Sequence, residues 1–151
     1  MPISAARLAA ALAARLDPVV PQPFGVRADG PVLVLEHPEG WGAQTYLDWI
    51  EDPGWLAKTA AEAGPDGADG LLAERGVLTM LDSLQHDIPE ALQEPWPAVT
   101  PTTFAPAGAR CDGEVVHLWY GASEAAPVIA FAPIPLRELL AGSGERPRAA
   151  P

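Results

Sequence analysis

The sequence is short of cysteine, lysine, net positive charge and long apolar runs, and each shortage excludes something. Cys111 is the only cysteine among 151 residues, so no disulfide can form within the chain, as expected in a reducing, cytoplasmic setting. Lys58 is the only lysine, against eight arginines. With the excess of Ala, Gly and Pro, this is a composition associated with GC-rich bacterial genomes such as those of actinobacteria. The formal net charge is −11. A surface of that sign repels phosphate backbones and anionic bilayers, so neither nucleic acid nor membrane is the expected partner. No apolar run has the length needed to cross a bilayer. The first sixteen residues contain Arg7 and Arg15 and no acid. These arginines interrupt the apolar core that a signal peptide needs, while Leu8, Leu12 and Leu16 fall on one face of a helix capped by Ser4.

What the chain does have is turn formers. There are 18 prolines and 14 glycines, in a sequence that is 48% hydrophobic. That composition is globular, with many loops. Two stretches resemble each other: GVRADGPVLVL from Gly25 to Leu35, and GARCDGEVVHL from Gly108 to Leu118. Asp-Gly between two strand-like runs is a strong short-range signal for a tight hairpin. Taking Asp and Gly as the two central residues sets Arg27 opposite Val32 and Gly25 opposite Val34. In the second stretch it sets Arg110 opposite Val115, Gly108 opposite His117, and Cys111 level with Glu114.

The remaining elements follow from periodicity and punctuation. A helix is expected over 4–16, then a stiff connector over 18–23 with three prolines. A third strand is read in QTYLDWI after Gly42, and a short helix in WLAKTAAEA after Asp52-Pro53-Gly54. A glycine-rich loop covers 64–70. The leucine pattern of Leu78, Leu81, Leu84, Ile88 and Leu92 predicts a helix over 70–93, with a kink or restart near Asp87 because Pro89 interrupts it. A second Pro-rich connector spans 95–101. Strands are expected at 104–111, 114–120 and 128–132, and a closing helix at 135–140. The sum is a single α+β domain over 1–141, with a mainly antiparallel sheet of about six strands, helices on one face, and a disordered tail over 142–151. Each half reads helix, Pro-rich connector, hairpin, strand, short helix. Two readings stay open: a duplicated unit (3–63 and 70–141), or coincidence between common motifs. The order is similar in outline to small secretion-chaperone folds, but no motif carries the resemblance and fold alone does not give function.

Alternation around the turns sorts the strand residues. Phe24, Val26, Leu33 and Leu35, and likewise Val116, Leu118 and Tyr120, are assigned to the core. The opposite face then carries Val32, Val34 and Glu36 with Val115, His117 and Trp119. That is apolar for a solvated face, so Val32, Val34, Val115, His117 and Trp119 are the candidate partner-binding residues, for another protein or for a second copy in a homodimer. The competing explanation is cover by the chain's own connectors.

Catalytic patterns are missing. His37, His86 and His117 lack a second ligand at metal spacing, and Cys111 and His117 are expected on opposite faces. Asp48, Glu51 and Asp52 beside Trp49 and Trp55 resemble a glycosidase pair less than an acidic loop. Asp66 and Asp69 do not complete a calcium loop. No metal, cofactor or catalytic residue is therefore implied. The leading expectation is a non-enzymatic interaction module, chaperone-like or immunity-like, working through an apolar sheet face. The alternative is a small-molecule or enzymatic pocket between sheet and helix near Trp96, Trp119 and Tyr120.

Overall fold

The computed structural model describes residues 2–142; residues 143–151 of the expected tail lie outside them. Helix α1 (Ala5–Leu16) begins at Ser4, whose hydroxyl accepts from Arg7 N–H at 3.2 Å. The N-cap so satisfies one of the amides left unpaired in a first turn. Its buried stripe is Ala5, Leu8, Ala9, Leu12, Ala13 and Leu16. Three antiparallel strands follow in the order β1 (Gly25–Asp29), β2 (Val32–Glu36), β3 (Gly42–Tyr46). QTYLDWI divides: β3 stops at Tyr46 and Asp48–Glu51 form a 3-10 turn. Asp52 then caps α2 (Pro53–Ala63), accepting from Gly54 and Trp55 N–H at 3.0 and 3.3 Å.

Helix α3 (Ala68–Leu92) starts two residues earlier than expected and runs through Pro89 without a restart. Pro89 falls in the last helical turn, so only one internal hydrogen bond is given up there. The second Pro-rich connector begins a small unanticipated hairpin, β4 (Ala98–Thr100) with β5 (Thr103–Phe104) just beyond it. A second sheet contains β6 (Ala107–Cys111), β7 (Val115–Ser123), β8 (Ala126–Ala130) and β9 (Ile134–Pro135), with β9 paired to β7. The expected closing helix is a 3-10 turn, Leu136–Leu139.

The fold is α+β and antiparallel, but the nine strands among the described residues lie in three separate sheets rather than one of about six. Helix α1 packs on β1 and β2, and α3 on β6 and β7, so each larger sheet turns one face to a helix. One continuous cluster of buried side chains joins both halves, from Ile3 and Leu8 through Met80 and Leu81 to Tyr120 and Leu139. All seven residues assigned to the core by alternation are buried.

Both hairpin registers differ from the expectation by two residues, in the same sense. Arg27 pairs with Val34, not Val32; Arg110 pairs with His117, and Cys111 with Val116. The reversals centre on Gly30-Pro31 and Gly113-Glu114, with each Asp holding the position before the turn. Pro31 has no N–H to close a turn around Asp29-Gly30, whereas inside the loop it needs none. Glycine comes first in each loop, at φ +59° for Gly30 and +100° for Gly113, as in hairpins with glycine at the first central position. At the second loop Asp112 has a stronger use outside the turn: its Oδ1 accepts from Glu114 and Val115 N–H, both at 3.0 Å. Because the slip is two residues, not one, every side chain keeps its face.

Candidate functional site

The five candidate residues fall on two sheets that share no strand pairing: Val32 and Val34 on the first, Val115, His117 and Trp119 on the second. They do not make one continuous sheet surface.

On the outward face of the first sheet, cross-strand rows run Asp29–Val32–Tyr46, Arg27–Val34–Gln44 and Gly25–Glu36–Gly42. The central valines are thus flanked by long polar side chains. Arg27 reaches Glu36 at 2.7 Å, and Tyr46 donates to Gln44 Oε1 at 2.7 Å. Val34 is left only 7% exposed. The apolar centre predicted for this face exists, but the chain's own side chains lean across it.

The same face opens at one end into a depression of about 920 Å³, lined by Val34, Glu36, His37, Trp41, Gln44 and Tyr46 among others. Trp41 stacks on His37, with ring centres 4.4 Å apart and planes 13° from parallel, and Phe24 meets both rings edge-on. His37 Nδ1 accepts from Glu39 N–H at 3.1 Å, which fixes the imidazole beneath the indole. Trp41 remains 44% exposed and Tyr46 55%. Gly42 lies close against β2, where a Cβ would collide with the Leu35 carbonyl. Sequence reading singled out neither Trp41 nor Tyr46. The signal available was two aromatics flanking a neutral strand beside an acidic end, and it became interpretable only once the register was known.

On the second sheet, Trp119 lies against Gly108, its cross-strand partner, where any Cβ would fall inside the indole. His117 stands between two carboxylates, 3.2 Å from Asp112 Oδ2 and 3.7 Å from Glu124 Oε2. Arg110 grips Glu124 with two bonds, at 2.7 and 3.0 Å. The Val115 and Glu114 amides, and then His117, hold the Asp112 carboxyl far below its ordinary pKa. Arg110 lowers that of Glu124. Both groups favour the folded state when ionised. Their contribution is complete above the unfolded carboxylate range, near pH 4–5, and is lost as pH falls toward their folded values. Asp112→Asn should therefore have a lower urea midpoint than the parent at pH 7, and the gap should narrow steadily as pH is lowered from about 5 to about 2. A gap unchanged across that range would remove Asp112 from the account. Asp69, Asp82 and Asp87 act in the opposite sense, since burial raises their values.

The remaining candidates have local tasks. Glu51 accepts from Ala5 N–H at 2.7 Å and Asp52 caps α2. Trp49 and Trp55 pack at 5.3 Å, with Lys58 over the Trp55 ring. His86 is exposed, 3.8 Å from Glu90. Cys111 packs against Gly70. Among the described residues, no three His, Cys, Asp or Glu side chains group as a metal site, and no helix is long and apolar enough to cross a membrane. The space beside Tyr120, where the sequence suggested a pocket, is filled. Trp96 and Phe131 pack against its ring from 5.3 and 5.9 Å, and its hydroxyl donates to the Leu81 carbonyl at 2.8 Å. No protein-family model, curated protein or solved structure matches the chain.

Proposed function

We propose that the protein is a non-enzymatic interaction module that binds an extended, positively charged peptide segment in the depression on the first sheet. The observation carrying this reading is the Trp41–His37 stack lining one depression together with Tyr46 and Glu36. Aromatic faces attract guanidinium and ammonium groups. Glu36 already meets Arg27, but a carboxylate has room for a second donor. The net charge of −11 draws cationic partners from a distance and discourages phosphate-bearing ones. The lone Cys111 suits work in a reducing compartment such as the cytoplasm.

Calorimetric titration with an Arg/Lys-rich peptide, a neutral one and an acidic one tests the reading. The cationic peptide should bind alone, more weakly as salt is added. Trp41→Ala should weaken it by about tenfold. Equal binding of all three peptides, no binding at all, or an unaffected Trp41→Ala variant would each end it.

A further inference from the structure

Strand β3 is an unguarded edge. Leu47 N–H donates to Pro31 O, and His37 N–H to Trp41 O, both at 2.9 Å. These two bonds lie in the same antiparallel register as Leu33 opposite Thr45 and Leu35 opposite Ala43. Hydrogen-bonded and non-bonded pairs alternate along such a ladder, so the odd-numbered residues of β3 face β2. Gly42, Gln44 and Tyr46 therefore direct their N–H and C=O groups away from the sheet. No hydrogen bond among the described residues takes them.

The outer strands β1 and β8 are better protected. On β1 the Val26 N–H is occupied by Asp17 Oδ1 at 2.8 Å. On the second sheet β8 carries Pro127. Strand β3 has no proline and no charge, and Gly42, Gln44 and Tyr46 are all exposed.

We infer that β3 pairs with β3 of a second copy, antiparallel about Gln44, joining two three-stranded sheets into one of six. Three features select a second copy over a foreign strand. First, the run Gly40–Leu47 holds no charged residue in a chain with 20 acids, so the two edges meet without like charges in the ladder. Second, centring on Gln44 sets Tyr46 of each copy opposite Gly42 of the other, an aromatic ring over a bare glycine. The chain already makes that pair internally, with Trp119 on Gly108. Third, Gln44 meets its own equivalent, where two amides can bond to each other. The pairing shares Gly42, Gln44 and Tyr46 with the depression, but pairing and peptide binding respond to salt in opposite senses. Pairing should strengthen with salt, which screens repulsion between two chains of charge −11, whereas cationic-peptide binding should weaken.

Sedimentation from micromolar to millimolar concentration tests it. The mass should rise from 15.8 kDa toward twice that value. Gln44→Pro removes an outward N–H and no bond to β2, a place where edge strands tolerate proline. It should weaken dimerisation by at least about tenfold, while Gln44→Ala, which loses only the side-chain pair and keeps the ladder, should weaken it by no more than about fivefold. Should Gln44→Pro fail to fold, hydrogen exchange on the parent chain decides: the Gly42, Gln44 and Tyr46 amides should gain protection as concentration rises. A chain that stays monomeric throughout, or a dimer in which these amides remain unprotected, overturns the inference.

Discussion

Replacing Tyr120 with alanine is expected to lower the unfolding free energy by about 3–5 kcal/mol, the usual cost of removing a large buried aromatic side chain. Tyr120 is fully buried at the centre of the second sheet, between Trp96 and Phe131. Its hydroxyl is a direct polar tie from that sheet to α3, through the Leu81 carbonyl. Alanine removes the packing and the tie together. Phenylalanine removes only the tie, and should cost about 1 kcal/mol, because the Leu81 carbonyl keeps its helical partner. Equilibrium denaturation of the two variants separates these terms. The phenol gives a second readout. Burial, and then Asp82, raise its pKa well above that of a free tyrosine. Between the unfolded and folded values the unfolded chain has lost a proton that the folded chain keeps, so stability falls as pH climbs past about 10. Ultraviolet titration should show one of the two tyrosines ionising only as the protein unfolds. Tyr120→Phe should lose that late step. A late step that survives in Tyr120→Phe would mean the buried phenol has been misassigned.

Alternation was the part of this fold that the sequence states most plainly. Phe24, Val26, Leu33, Leu35, Val116, Leu118 and Tyr120 are all buried, although the pairing that led to them was displaced. A displacement by two preserves parity, so a strand's faces are more robust to read than its partners. The displacement itself had a readable cause in Pro31, which lacks the amide a turn around Asp29-Gly30 would need. Asp112 gave a subtler one, since a carboxylate can gather amides from outside the turn as readily as it can occupy it.

The division into separate sheets was not readable in this way. Whether β3 continues toward β6 depends on where α3 lies, and that is set by contacts among residues far apart in sequence. Four of the five candidate residues are half-buried, and the fifth, Val34, is buried beside Arg27 and Gln44. Their strand positions were right, but the surface imagined for them needed one sheet. The aromatic depression escaped notice for the opposite reason. Trp41 lies in the β2–β3 loop, outside any periodic run, and becomes a wall only because His37 folds beneath it. Tyr46 looked like one more strand residue until the open edge of β3 gave it a place.

Gly76→Leu should cost about 3 kcal/mol or more, at the upper end of what overpacking a core exacts. Gly76 is buried near the middle of α3, where glycine is a poor choice on local grounds, about 1 kcal/mol worse than alanine in a helix. Its use there needs a compensating contact, and the structure supplies one. A Cβ at Gly76 would sit 2.6 Å from Leu8 Cδ2 and within 3.8 Å of Leu47 and Ile50. Leu8, Leu47 and Ile50 are all fully buried, and they come from α1, the residue that follows β3 and the 3-10 turn after it. Gly76 is thus where the first half of the chain closes onto the helix that carries the second. Alanine has two opposed effects at this position: better helix propensity, and a push against the end of one flexible leucine. It should change stability by less than about 1 kcal/mol. Leucine keeps the propensity gain but adds a branched side chain where three neighbours already touch. The contrast between the two variants is the test, read as denaturation midpoints at constant slope. If leucine were accepted as easily as alanine, α1 and α3 would not be in close contact at this point. The continuous core joining the two halves would then be looser than its burial implies.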